Sequence, residues 1–390
     1  KATAQYEAAV IDRLAVIHPN DGGVNGDFTM VAIAAGGDTT NRTGVLSAGT
    51  TSTQDIDLSQ NKITVPKDGS VDFELWAKLA APVATSSATT YSPRSGNTPS
   101  LGVATHTQTG EWNSNYINQY NIRALGSASG DNLYASSTSN LLGKAQVLRK
   151  GKPVITKLSP ASQTLTTGAP AELYKFQVNS SADGGEIAWM QVMFSVVTST
   201  GVSSLNNFEF FKGSTELTAN TEVYIRDKDG IDLSGATSLN SDGVAGSHGD
   251  KVIVRLVTEE TISSGGTTYT LRATPTMASD STTKTISTSF YRPSQSVMTG
   301  YIADDGGPNM WGGVLGLTNY ASGTKPTGGI GYSNATGTFI WSDRVDVPHS
   351  YASGSLGGMG TGTGGGGSGS GDWTSDVYVE SMNDIQTLSG

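Results

Sequence analysis

The sequence predicts an all-β chain: two or more Ig-like β-sandwich domains in tandem, with long Gly/Ser/Thr-rich loops. Three observations predict it. Apolar and polar residues alternate at period two in one run after another. Asp-Gly, a strong short-range turn signal, occurs six times, at Asp21, Asp68, Asp183, Asp229, Asp242 and Asp305. No long stretch carries the 3.6-residue period of an amphipathic helix.

From the start of the chain, ATAQYEAAV is the main helix candidate, rich in Ala and Glu. It also reads as leading directly into a strand, RLAVI, before His18-Pro19. In SVDFELWAKL, Val71, Phe73, Leu75, Ala77 and Leu79 fall on one face, and Asp72, Glu74 and Lys78 on the other. The Asp68-Gly69 turn precedes it. PVATSSATTYSPRSGNTPS is a long polar loop or an extended hairpin. Basic residues cluster around LRKGKP, where Pro153 starts a new extended segment, so the first domain spans 1–151 and the second 152–390.

In the second domain, AELYKFQV points Tyr174, Phe176 and Val178 one way. AWMQVMFSVV points Ala188, Met190, Val192, Phe194 and Val196 one way. KVIVRLV, TYTLRAT and KTISTSF follow the same rule. Tyr269, after Ile262 and Gly266, reads equally as a tyrosine at a sandwich corner or as a core-facing strand residue. Further on, TGTFIWSD sets Phe339 and Trp341 against Ile340, and Val377 and Val379 alternate with Tyr378. Between these last two runs lies GGMGTGTGGGGSGSG, in which ten of fifteen residues are glycine. The flanking apolar residues require burial, so the simplest arrangement returns both runs to the second domain, with 357–371 as an internal loop.

Composition narrows the function. Hydrophobic residues make up 36% and charged residues 15% of the 390 residues. The formal net charge is −10, with scattered Lys and Arg, which argues against a nucleic-acid partner. The absence of cysteine removes disulfides, thiol nucleophiles and Cys-based zinc sites. No apolar run reaches the roughly 20 residues of a spanning helix. The chain starts at Lys1 rather than Met, so the reading expects processing, trimming or numbering from an internal start.

Enzyme signatures are missing. His18, His106, His248 and His349 are dispersed, with no His-Glu-x-x-His, no Gly-x-Ser-x-Gly and no phosphate loop. Gly362, Gly364 and Gly367 match a dinucleotide fingerprint by chance within a glycine run, and no helix pattern follows. The expectation is a non-enzyme.

Calcium is the one cofactor with a case. RDKDGID carries Asp227, Asp229 and Asp232 around Gly230, and a turn can gather such carboxylates round a hard cation. It is not an EF-hand, because glycine falls at the fourth place and no glutamate stands at the twelfth. NDGGVNGD offers Asn20, Asp21, Asn25 and Asp27, and ADDGGPN offers Asp304, Asp305 and Asn309. Turn chemistry alone accounts for all three clusters as well. Trp112, Tyr116 and Tyr120, four apart, form an aromatic stripe that suits either a glycan platform or a buried contact.

Four segments carry a family resemblance: GKPVITKLSPASQTLTTGAPAELYKFQVNSSADGGEIAWMQVMFSV, LNNFEFFKGSTELT, EETISSGGTTYTLRAT and FIWSDRVDVPHS…DWTSDVYVESM. Together they resemble the C-terminal block of large secreted surface or surface-layer-type proteins of candidate phyla radiation (Patescibacteria) bacteria. The resemblance covers about residues 144–390 and is weak before that. It implies Ig-like β-domains at the bacterial cell surface and no catalytic residues. The family places a Ser/Thr/Asp-rich loop where this chain has its glycine run. The expected function is therefore a structural subunit of a surface layer or extracellular filament, whose partners are copies of itself. The alternative is an adhesin or glycan-binding module. A secreted hydrolase ranks third, because no constellation supports it.

Overall fold

The computed structural model describes residues 1–18, 25–35, 43–44, 53–83, 92–95, 97, 99–104, 122–134, 141–146, 148–181, 185–218, 223–227, 233–235, 239, 250–279, 283–290, 339–345, 373–375 and 385–390. Among them there is no α-helix, and the regular structure is strand apart from one short 3-10 turn, Asn25–Asp27. The all-β fold class is what the chain adopts. It forms two compact units, one over Lys1–Arg149 and one beginning at Lys150.

The first unit is organised around the strand Ala9–Ile17. The N-terminal segment read as a helix candidate is instead extended. Ala2–Thr3 pairs with Ser70–Val71, Tyr6 adopts a φ of 70°, and the strand begins at Ala9. Cross-strand packing decides here, since VIDRLAVI supplies β-branched residues to a buried central position. One edge of this strand pairs with Ile122–Gly126 and then with Gly102–Val103. The other edge pairs with Ile63–Val65 and then with Thr53–Asp57. A second sheet orders Thr43–Gly44, Phe28–Ala35 and Phe73–Leu79. Leu14, Val16, Phe28, Val31, Ile33 and Ile56 fill the space between the sheets. Burial along Phe73–Leu79 is shallower than its alternation predicts: Phe73 and Leu75 are half-buried, while Ala77 and Leu79 are exposed.

The second unit is a β-sandwich. Its first sheet runs Pro153–Leu158, Ala171–Ser180, Thr267–Met277, Val202–Lys212 and Thr215–Glu216. Its second sheet is built on Ile187–Thr198, which pairs along one edge with Asp250–Ile262, itself paired with Val223–Asp227. The other edge carries two strands end to end. Thr285–Phe290 pairs with residues 194–198, and Phe339–Ser342 pairs with residues 188–192. Phe290 stands opposite Phe194 and Phe339 opposite Val192, so residues 291–338 interrupt what is geometrically one strand line. The next line is also divided: Trp373–Ser375 pairs with Phe339–Ser342, and Gln386–Ser389 pairs with Thr285–Phe290. The four described strands after Lys284 thus make one composite antiparallel hairpin, each arm built of two strands that meet at the same level. The strands that flank the glycine run in sequence are paired neighbours, Trp373 opposite Ser342.

The alternation read in AWMQVMFSVV fails at one place. A register shift lies between Trp189 and Gln191 on both flanking strands, so Ile187 and Trp189 join the core before it and Val192, Phe194 and Val196 after it. A bulge inserts one residue and flips the phase. Ala188 and Met190 therefore lie outside that core cluster, although both are buried. Tyr174, Phe176, Phe194, Phe210, Tyr269 and Phe290 form a ring-on-ring aromatic core, with centroid separations of 5.1 to 6.4 Å among the contacting pairs. Burying each such side chain stabilises the fold by about 1.5–3 kcal/mol.

Candidate functional site

A strand edge with unpaired N–H and C=O groups on a rigid scaffold is a template for pairing with another strand. Three of the sandwich's four outer edges are occupied or truncated. The Thr215–Glu216 strand is two residues long. Gln386–Ser389 is met by the chain at Gln163–Leu165: Leu165 N donates to Ser389 O at 2.8 Å, and Ser389 N to Gln163 O at 2.9 Å. Val223–Asp227 receives Leu233 N on Ile225 O at 2.9 Å.

The fourth edge is Pro153–Leu158. It pairs on one side with Ala171–Ser180 through all six residues, and among the described residues no strand pairs with its other side. Pro153 removes one donor at the start, and Lys152 N is tied to Ser181 Oγ at 3.2 Å. From Val154 to Leu158 the strand is straight in register, and Val154 and Thr156 project as exposed side chains. Lys157 reaches back to Ile385 O at 3.2 Å, so its charge does not project along the edge.

The faces behind this edge are fixed by polar pairs. Arg272 lies between Glu172 and Glu209 in register, bonds Glu172 at 3.1 Å and covers the Phe211 ring at 4.2 Å. Glu209 is held above its ordinary value by desolvation and by Glu216. On the second sheet Arg255, opposite Gln191 in register, is buried, and burial lowers its guanidinium to about 10. Asp343, fully buried, accepts from Lys150 N at 2.8 Å, and Arg344 pairs with Glu259 at 3.3 Å.

Tyr269 is the core-facing strand residue of the two readings: its hydroxyl accepts from Trp189 Nε1 at 3.3 Å inside the core. Gly266 is required beside it, because its φ is +70° and a Cβ there would meet Asn179 Oδ1 at 1.8 Å.

The sequence-predicted calcium positions fall mostly outside the described residues. Asp227 ends the strand Val223–Asp227, and Leu233 N donates back to Ile225 O; Asp229 and Asp232 lie outside. Asn20, Asp21, Asp304, Asp305 and Asn309 lie outside as well. Asn25 and Asp27 form the short turn that leads into Phe28, and the buried Asp27 carboxylate accepts from Asn97 Nδ2 at 2.8 Å. Among the described residues no group of three or more His, Asp or Glu is placed to hold a metal ion. Trp112, Tyr116, Tyr120 and three of the four histidines are outside the described residues. The fourth, His18, is buried, with Nδ1 at 2.7 Å from Ser100 O and its ring edge-on to Phe28.

The chain matches no protein-family profile and no curated protein. Among solved structures it is similar to the C-terminal domain of the Streptococcus agalactiae antigen I/II polypeptide BspA, at 10% identity over 73% of this chain and 80% of that one, with a TM-score of 0.17. It is also similar to the C-terminal domain of the Streptococcus pyogenes antigen I/II-family protein AspA, at 11% identity over the same shares, with a TM-score of 0.18.

Proposed function

We propose that the protein is a non-enzymatic structural subunit of a bacterial cell-surface assembly, a surface layer or extracellular filament, and that it works by associating with copies of itself. The observation that carries this reading is the open backbone edge of Pro153–Leu158, a six-residue outer strand that is unpaired on one side among the described residues. An unpaired edge is a template for another strand, and neighbouring copies can supply one. The resemblance of residues 144–390 to secreted surface proteins supports the location, and the acidic, cysteine-free composition accords with an extracellular scaffold whose cohesion rests on packing rather than disulfides. A specific lattice contact buries more than about 1,000 Å². Electron microscopy of the purified chain at rising concentration, with calcium and with chelator, tests the reading. Ordered sheets or filaments support it, and dispersed single particles under every condition contradict it.

A further inference from the structure

The first unit leaves an apolar groove of about 550 Å³ between its two sheets. One wall is the inward face of the Phe73–Leu79 strand, through Phe73, Leu75, Ala77 and Leu79. The opposite wall is Leu141–Leu142 and the residues that follow, held to the neighbouring chain by Gly143 N on Leu101 O and Gln146 N on Pro99 O. Gly102 permits that wall to close in, since a Cβ there would meet Leu141 O at 2.3 Å. Phe28 and Val103, both members of the unit's core, also line the groove, so it opens onto the core itself. Leu79, Leu141 and Leu142 are 41%, 64% and 51% exposed, an unusual concentration of large aliphatic surface.

Both walls are sheet margins. Among the described residues, Phe73–Leu79 is the last strand of its sheet, and Leu141–Leu142 ends the path of the other. The groove therefore sits where a sandwich would continue with one more strand. Among the described residues, the charged ones that line it are Lys1 and Lys144.

We propose that this groove receives an extended strand from a second copy of the chain, which adds to the Phe73–Leu79 edge and lays alternate apolar side chains between the sheets. The proposal rests on the self-association reading above and names a second surface for it. The groove calls for apolar side chains at a spacing that reaches both walls, and the sheet margin calls for backbone N–H and C=O groups; a peptide strand supplies both at once. The two lysines call for carboxylates. A second copy supplies them readily, because Asp and Glu outnumber Lys and Arg by 34 to 24.

The test compares the full chain with Leu142→Arg, which puts a cation into the groove from an exposed position, and with Lys144→Glu, an exposed charge reversal. Each is followed by sedimentation velocity and by hydrogen exchange of residues 73–79 at low and high protein concentration. The expected result is association of the parent, protection of 73–79 that rises with concentration, and loss of both in Leu142→Arg at an unchanged melting temperature. Lys144→Glu, which does not touch the core, is expected to weaken association and reads the proposal independently if Leu142→Arg misfolds. Parent and variants that associate equally, with exchange at 73–79 independent of concentration, overturn the groove proposal and leave self-association through another edge standing. A parent that stays monomeric overturns both. Dodecanoate titrated into the parent is the last arm. Saturable binding that Leu142→Arg abolishes while association persists identifies an acyl-carboxylate site and overturns the strand proposal.

Discussion

Trp189 and Tyr269 meet across the two sheets of the second unit. The indole Nε1 donates to the Tyr269 hydroxyl oxygen at 3.3 Å, with ring centroids 4.9 Å apart and planes at 84°. Each ring is fully buried, so the pair is both packing and the polar satisfaction of two groups that water cannot reach. Tyr269→Phe keeps the ring and removes the acceptor, leaving the indole N–H unpartnered. It is expected to cost about 1–3 kcal/mol of the second unit's stability. Trp189→Ala adds a cavity and is expected to cost about 3–5 kcal/mol. Chemical denaturation of both variants checks the order.

The same residue sets an alkaline limit. Burial, and secondarily the charge of Glu260, push the Tyr269 hydroxyl well above the ordinary tyrosine value of 10. Above that value the unfolded chain releases the proton and the folded one keeps it. Stability is therefore full below pH 10 and falls as pH rises beyond it, by at most about 1.4 kcal/mol per pH unit from this group. Melting the parent and Tyr269→Phe between pH 9 and 11 tests this: the parent loses stability more steeply than the variant.

Deleting everything after Gly371 removes Trp373–Ser375 and Gln386–Ser389, and with the latter the buried Leu388. The truncated chain exposes the outgoing arm of the composite hairpin and is expected to melt at a clearly lower temperature. Leu388→Ala alone is expected to cost about 2–5 kcal/mol. An unchanged melting temperature after truncation contradicts the pairing.

In the first unit, Glu7 closes the turn between Ile122–Gly126 and Asn132–Tyr134. Its carboxylate accepts from Ala128 N at 2.8 Å, Ser129 N at 3.0 Å and Ser129 Oγ at 2.8 Å. Those bonds, led by the Ser129 N–H, hold it below the ordinary glutamate value of 4.5. Because the folded value is depressed, the contribution is present above pH 4.5 and is lost as pH falls through the folded value. Glu7→Gln is expected to speed amide exchange at Ala128 and Ser129 near neutral pH, with the difference from the parent vanishing in acid.

The sequence made the fold class legible because period-two alternation and Asp-Gly turns are local signals. Tyr174, Phe176, Phe339 and Trp341 are core residues, as their alternation predicts. Three features were not legible, each for a stated reason. The bulge at Met190 is set by pairing on both flanks and leaves no mark in the alternation itself. The helix propensity of ATAQYEAAV is overridden by the central place of Ala9–Ile17 in its sheet. The end-to-end placement of Phe290 and Phe339 depends on pairing partners, Phe194 and Val192, that lie far earlier in the chain. The open edge at Pro153–Leu158 showed in the sequence only as an extended segment after Pro153, since which side of a strand goes unpaired is a property of the whole sheet.

Sedimentation velocity of the intact chain over a wide concentration range, with calcium and with chelator, tests the central claim most directly. The account predicts species larger than monomer whose share rises with concentration, and their loss when Lys157, whose N–H faces the open side of the edge in this register, is replaced by proline, which clashes with the added strand and withholds a donor. A single monomeric species at the highest concentrations, in both ionic conditions, contradicts it.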